Sequence, residues 1–248
     1  MHALPSVTAR AGRFLLDALL PPRCLGCGEE VADPGALCVR CWSKLLFLDG
    51  PVCSCCGQPF GHEIGPTALC GACAAGRPPF RRARAVLRYE EGCRELILRF
   101  KHADRIDAAP ALARWMRRSG AELIEDCDLI APVPLHWARL LKRRYNQACL
   151  LSERIAAGAG KPHVPDLLKR VRAAAGRGRL SRLQRRERAS RAFAVSQSRR
   201  GQAAGRNILV IDDVFTTGAT AAACAQTLLD AGARAVDVLT IARVVRPV

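Results

Sequence analysis

The sequence predicts an α/β protein in which a parallel sheet is preceded by a small cysteine-rich module. Three observations carry that prediction. Eight of the 13 cysteines fall in four CxxC pairs before residue 74. After residue 82, short apolar runs alternate with segments of helical periodicity, the order that covers both faces of a parallel sheet with helices. One of those runs, "NILVIDD" at 207–213, ends in two adjacent carboxylates and turns through Thr-Thr-Gly into an Ala-rich helix. A chain of 248 residues holds one ordinary domain plus such a module. Half the residues are hydrophobic but only 5 % are aromatic, so Ala, Leu, Val and Ile must build the core.

The cysteine pairs come first. "CLGC" supplies Cys24 and Cys27, and "CVRC" supplies Cys38 and Cys41. "CSCC" supplies Cys53 and Cys56, and "CGAC" supplies Cys70 and Cys73. Each CxxC lets two thiolates reach one ion from a tight turn, and two such turns complete a tetrahedron around zinc. Gly28 and Gly57 each follow the second cysteine of a pair, where the turn favours positive φ. The unit repeats, so two structural zinc ions in tandem ribbons are expected, supplying folding energy to a segment too small to hold itself. A single zinc, or a redox or iron–sulfur role, is the alternative. Spacing leaves sequential and interleaved pairing both open. Cys55 competes with its neighbours, although Cys53 and Cys56 have the better spacing. Cys93, Cys127, Cys149 and Cys224 stand alone and are expected as small buried apolar residues.

This cysteine usage points to metal in a reducing compartment rather than to disulfides. The first 24 residues, "MHALPSVTARAGRFLLDALLPPRC", make no convincing signal peptide, because their apolar stretch is short and interrupted by charge. No run of 18 apolar residues occurs, so no membrane insertion and a cytoplasmic location are expected. The expected organisation is an N-terminal helix or linker over 1–22, the double ribbon over 23–78 and the α/β domain over 83–248.

After the linker "AAGRPPFRR", alternation predicts a strand over 83–90. Helices are expected over 92–104 and 108–120. The apolar run 127–135 reads as a short strand ended by Pro132 and Pro134, which cannot sit in a ladder. A helix starts at "RRYNQ" and ends near Gly158. Strands over 191–195 and 207–213, a helix over 218–233 and a strand over 235–243 complete the pattern. His102 and His136 are expected in loops or on the surface.

Ligands of parallel sheets bind beyond the carboxyl ends of the strands, where Asp212 and Asp213 stand. Thr216–Thr220 opens the next helix, where free N–H groups and the dipole favour phosphate. There is no GxxxxGK[ST] and no GxGxxG after a strand, which argues against a P-loop or dinucleotide site. Ionised carboxylates only accept hydrogen bonds, so an adjacent pair suits two vicinal hydroxyls. Hydroxyl pair and phosphate together describe a ribose 5-phosphate.

Charge points the same way. The net charge is +17, and residues 139–206 hold 19 Lys and Arg against Glu153, Asp166 and Glu187. Such a block implies an anionic partner: nucleic acid, a phosphorylated small molecule or, as the weaker option, a membrane surface. A compositional bias toward solvated Arg is the alternative. Aromatics there are scarce, Tyr145 and Phe193, which favours electrostatic, sequence-indifferent nucleic-acid binding.

"ILVIDDVFTTGAT" resembles the phosphoribosyl pyrophosphate (PRPP) motif of type I phosphoribosyltransferases. The chain as a whole resembles the ComF/GntX (competence protein F) family, through the paired cysteines, "LRFKHAD", "APVPLHWARLLKRRYNQA", "LSRLQRRERASRAFAV" and the aspartate motif. The resemblance implies a type I phosphoribosyltransferase fold behind the double zinc ribbon. It implies that Asp212 and Asp213 bind the ribose hydroxyls and that Thr216, Thr217, Gly218, Ala219 and Thr220 cradle the 5-phosphate. Pro132, Val133, Pro134 and Leu135 would lie near pyrophosphate, bridged to ribose by Mg2+ with waters completing its shell. Lys101, Arg143, Asn146 and Gln147 match family positions, and together with Arg144, Tyr145 and the basic-loop residues Arg177, Arg179, Arg182, Arg185 and Arg186 they are the candidate contacts to substrate or nucleic acid. The chain departs from the family pattern at Ala174 and Arg177, where Thr and Gln are usual, and at Arg144, Tyr145 and Arg188, where Gly, Phe and Asn are.

The function so implied is that of an accessory protein of DNA uptake and natural transformation. It would bind PRPP and single-stranded DNA and work beside a DNA-uptake helicase or other competence proteins. The alternatives are an active phosphoribosyltransferase with an unidentified acceptor and a non-catalytic PRPP or nucleotide sensor.

Overall fold

Runs such as "ILVI" and "VDVLTIA" have no polar face, and they become strands with both faces buried. The computed structural model describes residues 21–102, 105–135, 145–171 and 192–245. Its strands are β1 (Arg82–Arg88), β2 (Leu129–Pro132), β3 (Leu168–Arg170), β4 (Phe193–Val195), β5 (Asn207–Phe215) and β6 (Ala235–Arg243). Four of them form a sheet in the order β1-β6-β5-β2, with every neighbouring pair parallel. β3 and β4 pair antiparallel in a sheet of their own.

Side chains alternate across the sheet with period two. On one face Leu209, Ile211, Leu239 and Ile241 meet Phe100, Leu112, Met116, Leu151 and Ile155. These come from helices α3 (Glu91–His102), α4 (Ala109–Ser119) and α6 (Gln147–Ala159); α5 (Ala121–Asp126) leads from α4 into β2. On the other face Ile208, Val210, Val236 and Val238 meet Cys224, Ala225 and Leu228 of α8 (Ala219–Asp230), with Phe193 and the second ribbon beside them. The short helices α1 (Val39–Trp42) and α2 (Gly71–Ala75) belong to the ribbons, and α7 (Arg200–Ala203) precedes β5. Cys93, Cys127 and Cys224 are buried as expected, and Cys149 is half-buried. Among the described residues no helix is long and apolar enough to cross a membrane.

Open sheet edges invite unwanted pairing and are normally covered. The exit of the first ribbon covers β1: Leu48 N–H donates to Val86 O at 2.9 Å and Arg88 N–H to Leu46 O at 2.8 Å. On the far edge, Ile130 N–H donates to Pro162 O and Val164 N–H to Ile130 O, each at 2.9 Å.

The second ribbon is docked as tightly. Ala83 N–H donates to Cys55 O at 2.7 Å. The Arg243 guanidinium bonds Cys56 O and, at 2.8 Å, Gln58 Oε1, and lies 5.2 Å from the Phe215 ring centre. Gly57 sits there at φ +71°, and a Cβ on it would fall 2.5 Å from Ala83 O. Left-handed backbone costs a non-glycine residue about 1–2 kcal/mol, and the clash adds to that. Gly57→Ala is therefore expected to lower the melting temperature by at least about 4 °C at this chain size. A thermal melt within a degree of wild type contradicts this packing.

Several elements differ from the sequence expectation. The strand expected over 127–135 pairs only at Leu129–Pro132. The one expected over 191–195 pairs with β3 and stays out of the main sheet; three residues against three show no readable alternation. α5 is an addition, a six-residue helix beyond Gly120 that is too short to show a period. The helix expected from 143 starts at Gln147, where Asn146 Oδ1 accepts from Ala148 N–H, and it runs past Gly158 to Ala159. β5 continues to Phe215 because Asp212 and Val214 still pair with Thr240 and Ala242. The helix or linker expected before residue 21 lies outside the described residues.

Candidate functional site

Two arrangements gather chemistry: the cysteine clusters and the carboxyl end of β5. In each ribbon the first CxxC turns tightly, with Gly28 N–H to Cys24 O and Gly57 N–H to Cys53 O, both 2.9 Å. In the second CxxC, Cys38 and Cys70 begin α1 and α2. Cys24, Cys27, Cys38 and Cys41 bring their sulfurs within 4.8 Å of one another, and so do Cys53, Cys56, Cys70 and Cys73. The Cys27–Cys38 and Cys56–Cys70 sulfur separations are both 3.6 Å. The edge of a tetrahedron of sulfurs around zinc, with bonds of about 2.3 Å, is about 3.8 Å, so both clusters fit zinc.

The pairing left open by spacing is therefore sequential, and Cys55 is no ligand: it is buried beneath Ala83 and burial raises its thiol pKa. Backbone donors favour the anionic form of one thiol in each cluster, Cys24 and Cys53, while burial raises Cys41 and Cys73. Against burial, which raises it, the N–H groups of Cys27, Cys38 and Gly26 bring the Cys24 thiol down to about 6. Against burial again, those of Cys56, Cys70 and Cys55 bring Cys53 down to about 7. Two four-cysteine sites thus have the ligand set and spacing of structural zinc sites.

At the end of β5 the site is polar and partly enclosed. Asp212 Oδ1 accepts from Asp213 N–H at 2.9 Å, and Asp213 Oδ2 meets Lys101 Nζ at 2.8 Å. Burial first, then the neighbouring Asp213 charge, pushes the Asp212 carboxyl up to about 7. After Phe215 the chain turns through Thr216, Thr217 and Gly218 into α8. Gly218 sits at φ +78°, and a Cβ there would meet the Phe215 ring at 2.7 Å, so the loop needs glycine. α8 starts without a side-chain cap, which leaves its first N–H groups facing the loop, save Ala219 N–H, 3.3 Å from Thr217 Oγ1. Asp212, Thr216, Gly218, Thr220 and Val133 line one small cavity there, together with Thr240 of β6.

Of the other sequence-predicted residues, Pro132 ends β2, and Val133 N–H donates to Ile211 O at 2.9 Å, which brings the 132–135 turn beside the aspartates. Tyr145, Asn146 and Gln147 each donate to neighbouring backbone, while Gln147 Oε1 is buried without a hydrogen-bond partner among the described residues. Tyr145 OH donates to Phe100 O at 2.8 Å, Asn146 Nδ2 to Val133 O at 3.0 Å and Gln147 Nε2 to Lys101 O at 3.2 Å. The three clamp the end of α3 to the 132–135 turn and so place Lys101 against Asp213. Arg143, Arg144, Arg177, Arg179, Arg182, Arg185 and Arg186 lie outside the described residues, as does His136.

Arg170 on β3 is a site residue that sequence reasoning missed. Its charge lowers the Asp212 pKa, and its guanidinium lies 5.3 Å from the Phe193 ring centre. Only the antiparallel pairing of β3 with β4 brings it there, and no local signal marks it.

Residues 15–74 match the double zinc ribbon domain family. The chain is 33 % identical over 216 residues to DNA utilization protein YhgH of Salmonella typhi, spanning 84 % of this chain and 89 % of that protein. It is 29 % identical over 227 residues to competence protein F of Haemophilus influenzae, spanning 89 % and 96 %. A solved structure of the allosteric regulatory enzyme of purine biosynthesis is similar at 19 % identity and a TM-score of 0.40, over 58 % of this chain and 29 % of that longer one.

Proposed function

This chain belongs to the ComF family of competence and DNA-utilization proteins, and from that premise we propose that its carboxyl-end site binds PRPP with Mg2+ while its basic surface binds single-stranded DNA during DNA uptake. One observation carries the ligand: each aspartate keeps one oxygen free while the other is held. Asp212 Oδ1 is taken by Asp213 N–H and Asp213 Oδ2 by Lys101, which leaves Asp212 Oδ2 and Asp213 Oδ1, without a partner among the described residues, as acceptors for two vicinal hydroxyls.

The ribose 5-phosphate then falls on Thr216–Thr220 and the start of α8. Pyrophosphate lies toward Pro132–Leu135. Mg2+ bound with PRPP would supply positive charge to the pyrophosphate. A DNA-uptake helicase or another competence protein is the partner class that this reading implies.

Calorimetric titration of Mg-PRPP into the zinc-loaded wild type and an Asp212→Ala, Asp213→Ala double variant tests it. Two charge-assisted hydrogen bonds at about 1.5–3 kcal/mol each predict a loss of at least about 100-fold. A wild type that does not bind Mg-PRPP sinks the reading. Transfer of labelled ribose 5-phosphate to a base would instead make the protein a transferase.

A further inference from the structure

Helix α4 carries Arg114, Arg117 and Arg118, all exposed and, among the described residues, without an ion-pair or hydrogen-bond partner. At 3.6 residues per turn they lie within about 100° of arc, and Trp115 follows about 60° further round. The three arginines line a groove of about 470 Å³ with Ile124, Glu125 and Lys161. Glu125 is its only acid among the described residues. Lys161 Nζ donates to Glu125 O at 2.9 Å and Cys127 O at 2.8 Å, just before β2 begins. The groove therefore lies at the amino ends of the strands, across the sheet from Asp212.

The first ribbon adjoins it. A Cβ on Gly35 would lie 3.9 Å from Arg114 Nη2. Trp42 of α1 meets the edge of Trp115 at 5.9 Å between centroids and Phe47 at 5.0 Å, yet it remains 50 % exposed. A tryptophan buttressed on its inner side and open on its outer side is a rigid stacking shelf.

We propose that the first zinc ribbon and helix α4 form a single-strand nucleic-acid track, with a base stacked on Trp42 and the phosphates running over Arg118, Arg114 and Arg117. This rests on the DNA-binding reading above and moves part of the contact away from the basic stretch 139–206. Unpaired cations attract the phosphates of any sequence, and an aromatic shelf accepts the face of any unstacked base. Duplex bases are already stacked on one another, so the shelf favours single strands.

The experiment titrates a fluorescein-labelled dT20 oligonucleotide into the zinc-loaded full chain between 50 and 200 mM salt. The groove variant is Arg114→Gln, Arg117→Gln, Arg118→Gln. A control of equal charge change is Arg94→Gln, Arg99→Gln, Arg234→Gln, three exposed arginines elsewhere. Removing three single-strand phosphate contacts lowers the salt slope by about 2 and affinity at low salt at least about tenfold, while the control leaves the slope unchanged. Trp42→Leu removes stacking and weakens binding at least about fivefold. Bound zinc and Mg-PRPP affinity stay as in wild type for all variants.

Wild-type affinity and slope in both the groove and Trp42 variants overturn the track while leaving the DNA reading intact. No oligonucleotide binding by the wild type overturns both. Displacement by poly-glutamate as effective as by unlabelled dT20 assigns the groove to acidic partners in general and overturns the nucleic-acid track.

Discussion

Stripping the zinc with a strong chelator is expected to unfold the cysteine-rich segment and to lower the melting temperature of the sheet domain by more than about 10 °C. Structural zinc in small cysteine modules contributes about 10–16 kcal/mol of binding free energy, against a typical net stability of about 5–15 kcal/mol for a whole domain. Without metal, four thiols per cluster gain nothing from proximity, and the few apolar side chains of the ribbon cannot hold it.

The loss spreads because the ribbons are structural parts of the sheet domain. Leu25 and Leu45 leave the core shared with Phe100 and Leu112. The Leu46–Leu48 segment leaves the edge of β1, and Ala83 N–H loses Cys55 O. Buried Arg243 loses Cys56 O and Gln58 Oε1, which leaves a charge under the sheet with its partners gone. Metal release counted with a colorimetric chelator, alongside near-ultraviolet circular dichroism and a thermal melt, checks this. Two zinc ions per chain and one shared loss of signal are expected. An apo chain that melts at about the same temperature as the loaded one would show that the ribbons are merely appended.

The second large effect concerns Asp212. Its carboxyl is pushed up to about 7 by burial and then by Asp213. A carboxyl raised in the folded state holds a proton that the unfolded chain gives up. The wild type is therefore expected to lose stability as pH rises from about 4 to about 7, and to level off above that. Asp212→Asn removes the ionisation without changing the shape. It is expected to match the wild type near pH 4 and to exceed it by about 0.5–2 kcal/mol above pH 7, a few degrees in melting temperature.

The same substitution is expected to remove Mg-PRPP binding, because the amide replaces an anionic acceptor. In the wild type that affinity should fall as pH drops below about 7. Melting curves from pH 4 to 8 on both proteins, with titrations at pH 6 and 8, test both halves. Identical pH slopes for the two proteins would mean that Asp212 titrates as an ordinary carboxylate, and the site would hold no stored cost for a ligand to relieve.

Short-range chemistry was legible in the amino-acid order. A CxxC pair is a single turn, so the metal clusters could be read from spacing alone. Apolar runs such as "NILVIDD" and "AVDVLTIAR" must be buried on both faces, so the parallel sheet could be read from them. The Asp212–Thr220 stretch is contiguous, so its strand, loop and helix start could be placed together. Which cysteines share an ion depends on how two distant turns meet, and only the folded chain decided that and excluded Cys55.

Tertiary contact alone revealed that Tyr145, Asn146 and Gln147 hold backbone and that Lys101 holds one oxygen of Asp213, and it set the charge of Arg170, on a three-residue strand, where it lowers the Asp212 pKa. It also set Trp42 beside Trp115 and lined three arginines of α4 along one groove. Such pairings join side chains far apart in sequence, and the packing of helices and ribbons against the sheet selects them, a selection that leaves no trace in local spacing.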